Sequence, residues 1–250
     1  MLKILKSEWL KEKRSANAKL LLLVPIIFTI FNLLMVRIMG INPVGQSYIM
    51  ATAFNWYPLI ILPTVISLLV VNITKKEKET NKIKFKSLGL DYNKQTVSKN
   101  LVVVFELAIM IIITSIIVYC LGTFLLGETI PTKQIILASF YLFIGSLPII
   151  GISFLSTNYL KGPIIIILNF ILTILGAPIA TENYWWLYPW SYSLRMLCPI
   201  LGIYPNGLFL ENDSYLFNSS VLYLGTVVSL MVWLACLIFQ YLIDSRRDNV

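Results

Sequence analysis

The sequence predicts an all-α polytopic membrane protein with six transmembrane helices, an N-terminal amphipathic helix lying in the membrane plane, and both termini cytoplasmic. Three observations carry this. The chain of 250 residues has a mean hydropathy of +0.80. Only 13% of its residues are charged, about half the share usual in soluble domains, so hydrocarbon is the expected solvent for most of it. Those charges gather in short blocks between long apolar runs.

A bilayer core needs roughly 20 mostly apolar residues per helix. Six runs meet that length, at about Leu20–Met39, Asn55–Ile73, Leu101–Leu126, Ile135–Leu155, Pro163–Ala180 and Val221–Ile243. Pro25, Pro58, Pro63 and Pro148 fall inside them. They predict kinked helices packed against neighbours that re-satisfy the freed carbonyls.

Orientation follows from where Lys and Arg collect. Six lie in the amino-terminal segment, eight between Lys75 and Lys99, and three more are Lys161, Arg246 and Arg247. That is seventeen on one face against Arg37, Lys133 and Arg195 on the other. The first apolar run is too long for a signal-peptide core, and no small-x-small site follows it in "MVRIMGINP", so it reads as an uncleaved span.

Composition also removes whole classes of function. The chain has no histidine, which takes away the commonest general base and metal ligand, and no metal site is expected. Cys120, Cys198 and Cys236 form no CxxC pair and read as small buried hydrophobes. No G-x-S-x-G or phosphate-loop motif occurs, which argues against an intramembrane enzyme such as a protease or an acyl- or glycosyl-transferase and leaves this chain without a motor of its own. The net charge of +8 has no soluble basic domain to carry it, which argues against nucleic acid as a partner.

The cytoplasmic parts are two. Residues 1–18 place Leu2, Leu5 and Trp9 at helical spacing with Lys, Glu and Arg opposite, as in an in-plane helix; a charged leader that only sets topology is the alternative. Residues 74–100 form a loop with a helix-like piece near Glu77–Leu88, whose apolar contacts are Ile83, Phe85 and Leu88 and whose stop is Gly89. It reads either as a solvated loop or as a short helix docking on a soluble partner.

The outer loop, residues 181–220, opens with "NYWWLYPWSYSLRM", in which Tyr184, Trp185, Trp186, Tyr188, Trp190 and Tyr192 crowd ahead of Arg195. Pro205-Asn206-Gly207 then predicts a turn. The apolar pieces between turns are too short to span and suit the interface or a shallow re-entry, where Trp and Tyr keep the ring in hydrocarbon and the N–H or O–H in water. An anchoring girdle, a contact surface for an amphipathic peptide, and packing against a second subunit all fit. Arg195 reads as a donor to phosphate or carboxylate, or as the partner of Glu182 or Glu211. Within the spans, Glu106 is a carboxylate at costly depth, read as one of an ion pair with Lys99 or Lys94 or as a proton relay. Arg37 snorkels, and Asn32, Asn169 and Thr173 offer interhelical hydrogen bonds.

The order of these parts resembles the membrane subunits of type-2 ABC exporters. "YPWSYSLRM" (188–196) followed by "YPNG" (204–207) is similar to the aromatic-Pro-Trp-x-Tyr-x-x-Arg segment and Pro-Asn-Gly turn of the lantibiotic-immunity permeases. Those E/G-type subunits clear a peptide bacteriocin from the producer's own membrane. The resemblance implies a multi-pass protein of the plasma membrane of a Gram-positive bacterium. It implies a complex with a sibling permease and two copies of a cytoplasmic ABC ATPase, which would hold the ATP and Mg; this chain would bind no cofactor. Glu79, Asn81 and Lys82, with Ile83 and Phe85, would meet the ATPase. The aromatic cluster, Arg195 and Asn206 would meet the peptide. Export of another amphipathic substrate (a lipid, a drug or a different peptide), or sensing without transport, are the alternatives.

Overall fold

The computed structural model describes residues 2–13, 15–40, 46–75 and 92–248. In chain order the helices are α1 (Leu2–Glu12), α2 (Ala16–Met39), α3 (Tyr48–Trp56), α4 (Leu62–Lys75), α5 (Tyr92–Cys120), α6 (Thr132–Ser156), α7 (Gly162–Ile179), α8 (Tyr192–Leu201) and α9 (Ser220–Asp248). Six continuous helical stretches are long and apolar enough to cross a membrane: Ala16–Met39, Tyr48–Lys75, Asn93–Leu125, Thr132–Ser156, Gly162–Ile179 and Ser220–Ser245. Among the described residues no strand forms, and one isolated antiparallel bridge joins Ile203 to Phe209.

The second span starts at Tyr48 rather than Asn55, because Ser47 caps it by accepting a hydrogen bond from the Met50 amide at 3.1 Å. Its kink has a covalent cause. Pro58 and Pro63 carry no N–H, and between them the ladder widens to a π-helical turn over Tyr57–Ile61, where the Leu62 amide bonds the Tyr57 carbonyl. A second π turn, Leu121–Leu125, ends the third span.

The second and fourth spans form the core, with 61% of their apolar windows buried against 28%, 28% and 22% for the first, fifth and sixth. α6 packs on α9, α8, α5 and α4, while α4 also holds α7 and α5 holds α2. Phe28, Tyr57, Ile66, Leu69, Leu107 and Met110 fill the space between the first three spans. Both ends of the bundle are thereby defined. α1, Lys75 and the start of α7 lie at the terminal face; residues 180–219 lie at the distal face.

Polar groups in the bundle are joined in nodes. Asn17, fully buried, donates to Glu106 Oε2 at 3.0 Å and to the Leu69 carbonyl at 3.2 Å, and accepts from Asn72 Nδ2 at 3.0 Å. This ties the first three spans together near the terminal face and gives buried Glu106 an amide donor that the sequence had not suggested. Asn32 donates to the Ile49 carbonyl at 3.3 Å and accepts from Thr52. Arg37 is exposed at the distal end of the first span.

α1 turns Leu5 and Trp9 inward and its lysines outward, as the sequence predicts, but Glu8 and Glu12 face inward with them. Its inward face is Leu5, Glu8, Trp9 and Glu12, at i, i+3, i+4 and i+7, and it lies on α5. Trp9 meets Phe105 edge-on at 6.4 Å. The two carboxylates turn inward because donors await them: Glu8 accepts from Lys11 at 2.5 Å and Gln95 at 3.4 Å, and Glu12 accepts from Ser15. Lys3, Lys6, Lys11 and Lys13 stay exposed. Glu79, Asn81, Lys82, Ile83 and Phe85 lie outside the described residues.

Replacing Asn17 by Leu takes a donor from the buried Glu106 carboxylate. A loss of about 1–3 kcal/mol is expected, measured as a fall in unfolding midpoint in detergent, with Glu106→Gln in the same background recovering part of it.

Candidate functional site

The distal segment is built by local capping followed by re-entry. Two short 3₁₀ turns, Trp185–Leu187 and Pro189–Ser191, run into α8. Ser191 locks them by donating to the Trp185 carbonyl at 2.9 Å and the Tyr188 carbonyl at 2.8 Å, and Tyr192 donates back to the Trp186 carbonyl at 2.7 Å. Proline at the first position of the second turn presets its φ.

The segment goes deeper than an interfacial loop would. A Cβ on Gly176 would stand 2.9 Å from the Trp190 carbonyl oxygen, and one on Gly145 would stand 2.7 Å from the Ser193 backbone. Glycine at 176 lets the turn Pro189–Ser191 press on the fifth span, and glycine at 145 lets the start of α8 press on the fourth. Gly145 is about 20 Å along α6 from its distal end at 1.5 Å per residue, so Ser193 sits near mid-depth. α8 then rises along α6 until Gln134 donates to the Ile200 carbonyl at 2.8 Å.

The deepest contact is polar. Trp190 Nε1 donates to Asn169 Oδ1 at 2.9 Å, and Asn169 Nδ2 donates to Ser67 Oγ at 2.7 Å and Ser153 Oγ at 2.9 Å. One asparagine thus joins the second, fourth and fifth spans to the distal segment. Tyr188 adds a bond to the Leu172 carbonyl at 2.8 Å. The "YPNG" turn is pinned from below by Asn55, whose Nδ2 donates to the carbonyls of Pro205 at 2.8 Å and Tyr204 at 3.3 Å.

These contacts divide the aromatic cluster. Trp185 and Tyr192 are buried, 6.0 Å apart and edge-on, in a small core with Met196 and Val221. Trp190 and Tyr188 are half-buried and hydrogen-bonded inward. Tyr184 and Trp186 remain 53% and 43% exposed, and Leu187, Leu208 and Tyr215 are each 62% exposed. Asn206 is exposed and closes its own turn by accepting from the Leu208 amide at 3.1 Å.

Arg195 pairs with neither Glu182 nor Glu211, both of which are exposed. It is 4% exposed, and its Nη1 donates to the Leu216 carbonyl at 3.1 Å, tying α8 to the 3₁₀ turn Tyr215–Phe217. Burial lowers its pKa, with Cys198 and Tyr215 opposing the shift, yet an arginine so placed keeps its charge. Cys198, buried on the same helix, donates its thiol to the Leu194 carbonyl at 3.3 Å. Among the described residues no group of His, Cys, Asp and Glu could hold a metal ion. The sequence reading had not singled out Asn55, Gln134, Ser67 and Ser153; an amide or hydroxyl inside an apolar run was the available signal.

Residues 4–176 match the family described as ABC-2 family transporter protein. The match runs from α1 to the end of the fifth span and stops before the distal segment. Comparison with curated proteins and with solved structures found no match.

Gly145→Ala drives a methyl into the Ser193 backbone. The expected result is an overpacking loss of about 1–3 kcal/mol, read as a lower unfolding midpoint together with red-shifted tryptophan emission as α8 is displaced.

Proposed function

The chain belongs to the ABC-2 family of transporter proteins, and from that premise we propose that it is the permease subunit of an exporter that removes a membrane-active cationic peptide of the lantibiotic type, giving self-immunity. Membership makes it a multi-pass membrane transport component, associated with an ABC ATPase rather than catalytic itself.

The observation that carries the peptide reading is the exposed rim of the distal segment. Tyr184, Trp186, Leu187, Leu208 and Tyr215 present apolar and aromatic surface on a mount held by mid-span hydrogen bonds. Aromatic side chains of this kind suit the depth at which an amphipathic peptide lies. Glu182, Glu211 and Asp213 are exposed in the same segment, while its arginine is buried. Acid beside aromatic surface fits a cationic peptide better than an anionic lipid or drug.

In the proposed cycle, two such permeases, this chain and a sibling, sit on two ATPase copies in the plasma membrane of a Gram-positive bacterium with the distal face outward. ATP and Mg are held by the ATPase. Residues 79–85, with Glu79, Asn81, Lys82, Ile83 and Phe85, transmit its closure. Motion of the second, fourth and fifth spans reaches the rim through Asn169 and Trp190, so closure of the ATPase pair displaces a peptide bound there toward the medium.

The test is ATPase turnover of the reconstituted complex as cationic peptide is added. Turnover is expected to rise with peptide. Replacing Tyr184, Trp186 and Leu187 together by Ser is expected to raise the half-maximal peptide concentration about tenfold, roughly 1.4 kcal/mol, at unchanged protein level. No stimulation by peptide, or equal response of the variant, defeats the reading.

A further inference from the structure

Between α5 and α6 a groove of about 510 Å³ opens to the side of the bundle, lined among others by Ala108, Ile112, Ile116, Ile136 and Phe140. Ile112, Ile116, Ile136 and Phe140 are all exposed, so the groove faces lipid. Its wall holds two serines, and they satisfy each other: Ser115 Oγ and Ser139 Oγ lie 2.6 Å apart, each also bonded to a carbonyl of its own helix. What remains is an apolar slot.

The slot has one open polar end. It runs from Tyr119 and Thr132 at the distal side to Ala108 and Phe143 in the interior. From Ala108 to Tyr119 it is about 16 Å long at 1.5 Å per residue, close to half of a hydrocarbon core of about 30 Å. Lys133 is exposed next to Thr132 at the mouth. α6 begins there after Pro131 with no side-chain cap, so its first amides add a positive helix end. The other distal cations lie elsewhere, Arg195 buried and Arg37 on the first span. The nearby carboxylate, Glu128, is buried, with Oε2 accepting from Ser47 and Oε1 without a hydrogen-bond partner among the described residues.

We propose that this groove holds one acyl chain of an anionic phospholipid from the distal leaflet, with the phosphate at Lys133, Thr132 and the amino end of α6. The match to one leaflet is what selects lipid. A spanning helix from a second copy would run the full core thickness, whereas the slot stops half-way. The proposal needs only that the chain is embedded in a bilayer and is independent of what is exported.

Native mass spectrometry of the purified full chain, titrated with phosphatidylglycerol and with phosphatidylcholine, tests it. The wild type is expected to retain phosphatidylglycerol more tightly. Lys133→Gln, at an exposed position, is expected to weaken phosphatidylglycerol about fivefold, the effect of one basic residue near a lipid surface, while phosphatidylcholine binding is unchanged. Lys161→Gln, on the opposite face, is expected to change neither. Ala108→Trp fills the inner end and is expected to weaken both lipids. Equal lipid binding in wild type and Lys133→Gln overturns the proposal, as does an equal loss in Lys161→Gln. A change of oligomeric state in Ala108→Trp with lipid binding intact overturns it as well, by making the groove a protein interface.

Discussion

An asparagine in the middle of an apolar helix carries two donors and an acceptor that lipid cannot satisfy, and Asn169 is placed so that all three are used. Ser67 and Ser153 take the donors and the indole of Trp190 fills the acceptor. Its own backbone carbonyl receives the Thr173 hydroxyl at 2.7 Å. Interhelical hydrogen bonds in a bilayer each contribute modestly, roughly 0.6–2 kcal/mol. Here their value lies in what they join, because the third side-chain partner, Trp190, comes from outside the six spans.

That join decides the character of the distal face. A segment held only by interfacial aromatics would float at headgroup level and follow the bilayer. Trp190, bonded at mid-span, follows the helices instead. Glycine at 145 and 176 makes the close approach possible, Arg195 and Asn55 secure the segment's later turns, and the remaining apolar side chains are left at the surface as a rim. Rigid mount and exposed rim are therefore consequences of one arrangement. Under the proposed function, this arrangement is the route by which motion of the spans would reach the rim.

Much of this was legible in the sequence. Apolar length alone located six spans, since helices in hydrocarbon must be long and continuous, and the prolines in the second span predicted a kink, though not the π turn found there. Depth was not legible. "NYWWLYPWSYSLRM" reads as interfacial or shallowly re-entrant because its composition suits either, and only the juxtaposition of Gly145 and Gly176 with its backbone shows how far it is inserted. Composition cannot separate Trp185 from Trp186, neighbours in sequence with opposite exposure. In α1, charge suggested a polar outer face, whereas the register of Leu5, Glu8, Trp9 and Glu12 and the donors around them turned the acids inward. Arg195 misled similarly: an arginine seeks acceptors, and a backbone carbonyl served in place of an acid.

The claim that Trp190 and Asn169 couple the distal segment to the spans is tested most directly by a double-mutant cycle. Trp190→Phe, Asn169→Val and the double variant would be compared by reversible unfolding in mixed micelles. The account predicts a coupling of about 1 kcal/mol, the double variant losing less than the two singles together. Losses that add within about 0.3 kcal/mol would contradict it.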